Sequence, residues 1–392
     1  MMNESTRIFI DRYQNEDVHT LSLLSDKYPQ VDMSLAIRQI TGKQKTKHKI
    51  PTYFACDNLL YPVKLSLEQS SSEITAIHKS ARIEGKTLID MTGGFGVDSF
   101  FFSSKFDKVI YVERQKELCE LARHNFDVLN RKNIEVINDS AEKILDETDK
   151  VNWIYLDPAR RTETGKKVVL LSDCEPNVAE LAEKLLIKGD NIMIKLSPMI
   201  DLVSLTKELP NIAEIQVISV ENECKEVVVI LSIKAESKIQ IKTTNYPNTK
   251  SVENFDFNLN DEPTAKVNFT NNPQTYLYEP NASIMKSGAF KSISEHFKID
   301  KLHINSHLYT SEALLAHFPG RIFKVEKTYD FSKSSMKEFH SETQKANLSI
   351  RNFPMTVNEL RKKLKLSEGG DVFVFATTLI DGKKVLISCK KI

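Results

Sequence analysis

From residue 87 to residue 234, apolar runs of strand length alternate with amphipathic stretches, and this rhythm constrains the fold more than any other property of the chain. The runs fall at 87–91, 108–112, 134–137, 153–156, 191–194, 212–219 and 226–233, and the clearest amphipathic stretches at 115–129 and 177–187. Strands that alternate with helices lie parallel, because a parallel neighbour is reached only through a long crossover. Residues 220–225 are too few for such a crossover, so the last two runs should pair antiparallel. The expected core is therefore α/β: a doubly wound, Rossmann-like sheet that ends in an antiparallel hairpin.

The flanks read differently. Residues 1–80 are helical in pattern, with apolar positions at helical spacing in 17–26 and 33–40 and a helix stop at Thr41-Gly42. Pro51 and Pro62 break the chain before a helix over 67–83. Asn, Thr, Asp and Pro dominate residues 236–274, which read as a linker or an irregular, partly stranded excursion. Beyond them, helices are expected at 282–296 and 311–317 and strands at 301–304 and 322–328. The tail gives a strand at 346–350, a helix at 356–364, a strand at 372–378, the turn Asp381-Gly382 and a strand at 384–389. The resulting division is 1–80, 81–235, 236–274, 275–318 and 319–392, the last two being small α+β units.

The near balance of 54 basic against 53 acidic residues hides local excesses. Lys43, Lys45, Lys47 and Lys49 form one basic run around His48, and residues 341–392 hold ten Lys/Arg against five Asp/Glu. Two such clusters flanking a catalytic core suit a polyanionic partner, while single clusters commonly do no more than solvate a surface. No apolar run is long enough to span a bilayer, and residues 1–15 lack the apolar core of a signal peptide. The five cysteines are scattered without C-x-x-C spacing, which points to neither zinc nor a disulfide framework and makes the cytoplasm the expected compartment. His303 and His307 are four apart in a strand-then-loop context, where a surface or core role is expected, so no metal site is expected.

In an open α/β sheet, ligands bind beyond the carboxyl ends of the strands. The first of those ends carries Asp90-Met91-Thr92-Gly93-Gly94-Phe95-Gly96, a glycine loop opening a helix. It is neither the G-x-G-x-x-G of dinucleotide binders nor a P-loop, since no G-K-[ST] follows. Glu113 ends the second strand, Asn138-Asp139-Ser140 the third, Asp157-Pro158-Ala159-Arg160-Arg161 the fourth and Lys195-Leu196-Ser197-Pro198 the fifth. Such acids can serve a ligand or cap the next helix, and for Asp139 both remain open.

In this order the motifs resemble those of the class I S-adenosylmethionine-dependent methyltransferases. The resemblance implies that Asp90, Thr92, Gly93, Gly94 and Gly96 pass the methionine and ribose part of the cofactor, that Glu113 binds the ribose hydroxyls and that Asp139 and Ser140 lie at the adenine. Asp157 would face the transferred methyl, with Pro158 and Arg160 beside it. The turn at 221–226, Tyr278-Glu279-Pro280-Asn281, Arg351-Asn352-Phe353-Pro354 and Glu368-Gly369-Gly370-Asp371 are similar to a group of these enzymes with a C-terminal THUMP-like domain. That likeness makes 275–318 ferredoxin-like and 319–392 THUMP-like, and it implies an RNA substrate, tRNA or rRNA.

Methyl transfer needs an aligned nucleophile and excluded water. Asp157 suits an amine nucleophile, as acceptor of its hydrogen bond or its proton. Ala159 and Arg160 stand where many amine methylators carry Pro and an aromatic residue, so Arg160 and Arg161 read as a phosphate contact or a structural ion pair. Ser197 and Ala159 occupy places where pyrimidine C5 methylators carry cysteine, and Cys174 and Cys224 lack the surrounding motif. A nitrogen of an RNA base is the expected target. A small-molecule or protein methyltransferase, and a non-catalytic RNA-binding protein with a vestigial fold, are the alternatives.

Overall fold

A computed structural model of the chain describes residues 2–160, 171–248 and 251–392, with Arg160 described by its backbone alone. It divides into two units, Met1–Ile212 with Val229–Ala235, and Ala213–Val228 with Glu236–Ile392.

The first unit holds the parallel sheet. Its strands are β1 (Gly85–Asp90), β2 (Phe106–Val112), β3 (Ile134–Ile137) and β4 (Val151–Leu156), then a short ribbon of β5 (Ala159–Arg160) and β6 (Cys174–Glu175), and β7 (Gly189–Leu196). They are ordered β7-β4-β1-β2-β3, every neighbouring pair parallel. The chain steps outward from β1 to β3 and returns to β4 on the other side of β1. Crossovers that run in two directions along the sheet set helices on both faces, and a topological switch point falls between β1 and β4. The strands are apolar where both faces are covered: Leu88, Ile89, Ile154, Leu156, Ile192 and Ile194 are all buried.

The N-terminal helices share a core with this sheet. Tyr53 is fully buried, and its ring meets Phe95 and Phe100 edge-on at 5.3 and 5.5 Å. The expected stop at Thr41-Gly42 is absent, since one helix runs Met33–Lys49. Gly42 is there for close packing: a Cβ would lie 2.2 Å from that of Tyr61. The single helix expected over 67–83 is two, Lys64–Gln69 and Glu73–Ser80, the second capped by Ser72.

The second unit holds all of β8 (Ile212–Val220) but its first residue and β9 (Glu223–Ser232) as far as Val228; the two strands are joined at Glu221 and Asn222, whose φ values of 53° and 61° make the twisted turn that suits a hairpin. The stretch expected as a linker or partly stranded excursion carries β10 (Gln240–Tyr246), parallel to β8, and β11 (Glu253–Asn258), antiparallel to β10. Hydropathy hides β10 because three of its four buried residues, Thr243, Thr244 and Asn245, are polar and are answered by neighbouring strands. Thr243 donates to the Phe255 carbonyl at 2.8 Å, and Asn245 accepts from Ser219 at 2.8 Å and donates to Glu253 at 2.9 Å.

The rest of this unit is a second sheet. It contains β12 (Tyr276–Pro280), β13 (Asp300–Lys301), β14 (Tyr309–Ser311), β15 (Gly320–Asp330), β16 (Asn347–Arg351), β17 (Val372–Thr378) and β18 (Lys384–Lys391), in the order β13-β14-β12-β15-β18-β17-β16. Only β16 and β17 run parallel; β12 pairs antiparallel with β15, so residues 275–318 and 319–392 contribute to one sheet. The helix expected over 282–296 breaks at Gly288, φ 79°, into Ala282–Ser287 and Ser292–Phe297. Residues 311–317 form no helix, whereas Lys333–Glu342 does, behind the N-cap Ser332. Among the described residues no helix is long and apolar enough to cross a membrane.

Candidate active site

The glycine loop is held from both sides. Asp90, 1 % exposed at the end of β1, accepts from the Thr92 amide at 3.0 Å and the Ser99 hydroxyl at 2.6 Å. Burial pushes its carboxyl up to about 7. Asp90 thus ties the two ends of the loop together from below. Thr92 reaches sideways, its hydroxyl accepting from the Asp157 amide at 2.6 Å, which fixes the end of β4 against the loop. A Cβ at Gly93 would lie 2.2 Å from the Tyr111 ring, and one at Gly96 (φ 80°) would lie 2.7 Å from Phe126. Tyr111 donates to the Gly94 carbonyl at 2.6 Å, and Tyr53 to that of Gly96 at 3.2 Å.

Glu113 closes the second side. It is buried, and its two carboxylate oxygens accept from the amides of Gly94 at 3.0 Å and Gln115 at 2.8 Å. Each oxygen keeps a further lone pair. A Cβ added at Gly94, φ 54°, would find nothing nearer than the Thr92 carbonyl at 3.8 Å, so the loop is open beside this carboxylate.

The end of β3 is built differently. Ser140 is the N-cap of the helix Ala141–Glu147, and Asp139 pairs with Lys143 at 2.5 Å and accepts from the Ser140 amide. Lys143 and that amide hold the Asp139 carboxyl below its ordinary value. The exposed Asn138 donates to the backbone carbonyls of Glu113 and Arg114.

Asp157 stands half-buried at the end of β4, beside the buried Pro158. Its carboxylate meets the Lys195 ammonium at 2.5 Å, and burial raises its pKa against the opposing pull of that lysine. The Arg160 side chain and Arg161 lie outside the described residues.

Sequence reasoning missed the group beneath. Asp98 is buried, takes the hydroxyls of Ser71 at 2.7 Å and Tyr155 at 2.9 Å, and lies 3.2 Å from the fully buried Lys79. Burial raises its pKa, and the charges of Lys79 and Lys195 with these hydroxyls outweigh that and lower it. Lys79 has no motif around it; its depth inside an otherwise ordinary helix is a tertiary fact. Half of the first basic run is likewise engaged. Lys45 pairs with Glu68 at 2.5 Å, and Lys49 donates to the carbonyls of Leu67 and Glu68. Burial and the nearby Lys195 bring Lys49 down to about 8. In the second unit, His303 bonds Asn352 and His307 stacks on Phe290. No group of three or more metal-ligating side chains occurs among the described residues.

Comparison with known proteins agrees with this architecture. Residues 276–319 match a ferredoxin-like domain family, and residues 320–391 a THUMP domain-like family. The crystal structure of a protein from Porphyromonas gingivalis W83, named as a candidate methyltransferase, is similar over 100 % of both chains, with 34 % identity and a TM-score of 0.89. The chain belongs to that protein's family: class I methyltransferase-fold proteins with a C-terminal THUMP-like domain. A Streptococcus mutans protein, a candidate methyltransferase solved in complex with SAH, is 17 % identical and covers 41 % of this chain and 97 % of its own, with a TM-score of 0.31. A candidate RNA methyltransferase from Pyrococcus horikoshii is 12 % identical, covering 49 % and 98 %, with a TM-score of 0.33. No curated protein matches the chain by sequence.

Proposed function

We propose that the chain is an S-adenosylmethionine-dependent methyltransferase that modifies a nitrogen of an RNA base. The observation that carries this reading is the pair of carboxylates on either side of β1: Glu113, clamped to the glycine loop, and Asp157, half-open beside Lys195. The donor set fits the cofactor. Glu113 has spare lone pairs for a ribose diol, and the loop leaves open space at Gly94 next to it. Glu113, Gly93, Gly94 and Gly96 would hold the ribose and methionine portion, with Asp139 and Ser140 toward the adenine. Once bound, the cofactor supplies an electrophilic methyl group.

The protein's own contribution is alignment and proton handling. Asp157 is fixed at its backbone by Thr92 and at its carboxylate by Lys195, so an amine bonded to it is held in one direction. Its raised pKa makes it a better proton acceptor than an exposed aspartate. The match to a THUMP domain-like family at 320–391 and the basic excess of the tail support RNA as the acceptor.

Equilibrium dialysis with labelled S-adenosylmethionine tests the first half. Glu113→Ala should weaken binding by roughly tenfold or more, the scale of a lost charge-assisted hydrogen-bond pair. Unchanged affinity in a folded Glu113→Ala protein, or no uptake by the wild type, would falsify the reading. Methylated-nucleoside mass spectrometry after incubation with fractionated RNA tests the second. Label recovered in protein or small molecules, and none in RNA, transfers the activity to those acceptors.

A further inference from the structure

Beyond the carboxyl ends of the parallel strands β16 and β17 lies a cavity of about 470 Å³, lined by Ile350, Asn352, Phe353, Pro354, Thr378 and Lys384. It lies wholly within residues 320–391, and neither glycine-loop nor strand-end chemistry accounts for it. Its size suits a ligand of small-molecule dimensions.

The lining is mixed in a specific way. Phe353 and Pro354 give flat apolar surface, Asn352 and Thr378 give hydrogen-bonding groups, Lys384 gives an exposed cation, and none of the six is acidic. The walls are also fixed. Thr378 donates to the Asn352 carbonyl at 2.7 Å, and the Asn352 amide lies 2.9 Å from His303 Nδ1. The half-buried Phe353 ring stands edge-on to Phe331 at 5.0 Å, and Phe331 in turn carries the Lys363 ammonium over its face at 4.7 Å. An acyl chain would leave Lys384 unanswered, and a bare anion would leave Phe353 and Pro354 unused. A nucleotide uses all of them: an aromatic wall for the base, polar groups for its edge and a cation for its phosphate. Residues 341–392, the segment that supplies all six lining residues, hold ten Lys/Arg against five Asp/Glu, which favours a continuous polyanion over a free nucleotide.

We propose that this cavity holds one unstacked nucleotide of a single-stranded RNA segment, its base against Phe353 and Pro354 and its phosphate at Lys384. The assignment rests on the RNA-directed reading above and adds a contact to RNA that the strand-end residues do not make.

Fluorescence anisotropy with labelled eight-nucleotide oligoadenylate and oligouridylate tests it, on the full chain and without cofactor. Phe353→Leu keeps the apolar packing and removes the aromatic face, and should weaken binding at least about fivefold, whereas Phe353→Tyr should stay within about twofold. Lys384→Glu should weaken binding by about fivefold or more, and Lys333→Glu, the same charge reversal at an exposed site on a helix, by less than about twofold. Oligonucleotide binding that is equal in all four variants overturns the cavity assignment alone, as do equal losses in Lys384→Glu and Lys333→Glu. A wild-type chain that takes up cofactor but no RNA overturns both this proposal and the RNA-directed part of the reading. Adenosine or uridine monophosphate competing as well as the oligonucleotide overturns the polymer form of the ligand.

Discussion

The strand ends of the parallel sheet fall into two kinds. At β1, β2 and the helix after the glycine loop, the acids are buried and held by several groups at once: Asp90 by Thr92 and Ser99, Glu113 by two backbone amides, Asp98 by Ser71, Tyr155 and Lys79. At β3, Asp139 is answered by the nearby Lys143 one helical turn on. Similar residues in similar sequence positions therefore do different work. A buried carboxylate stabilises the loop only while its partners are present, because an unpaired charge away from water is costly. An exposed one is cheap to change, so its removal reports on ligand binding with little interference from folding.

The largest expected effect breaks the buried side of that contrast. Asp98→Ala leaves the Lys79 ammonium in the interior without its carboxylate and should destabilise the protein by roughly 3–5 kcal/mol in urea unfolding. A loss comparable with that of an exposed acid would mean that water reaches Lys79 and that the two kinds of strand end are not distinct.

Next in size is a pH effect at Asp90. Its folded pKa, about 7, lies above its ordinary unfolded value, so between about pH 4 and 7 the native state holds a proton that the unfolded chain has lost. Stability from this group is present at low pH and falls as pH rises through 7, by an amount on the order of a few kcal/mol. Asp90→Asn should flatten that fall in denaturation midpoints measured from pH 5 to 8. An unchanged slope would assign it to another group, Asp157 being next, since its pKa is also raised.

The smallest effect sharpens the other side. Asp139→Asn should leave the urea midpoint indistinguishable from wild type while weakening cofactor binding by about two- to fivefold, the scale of one hydrogen bond at the adenine. Unchanged binding would reduce Asp139 to the partner of Lys143.

Much of this was legible along the chain. Apolar runs separated by amphipathic stretches marked β1, β2, β3, β4 and β7, since strands are apolar over the stretch where helices cover both faces. The turn at Glu221-Asn222 was legible for an equally local reason, the short connection. What was illegible had partners far away in sequence. β10 hid because its buried Thr243 and Asn245 are satisfied by Phe255, Ser219 and Glu253. The helix Met33–Lys49 continued past an apparent stop because Gly42 packs on Tyr61.

The same division runs through the site. By itself, the sequence determined which strand ends carry acids and where the backbone turns on glycine, because alternation, spacing and the lack of a Cβ act within a few residues. Only the tertiary structure decided how those acids are answered: Asp98 by Lys79 and Ser71, Asp157 by Lys195, Glu113 by the amide of Gly94. The reason is electrostatic. A charge's state depends on burial and on every neighbour within a few ångströms, and folding alone sets that neighbourhood.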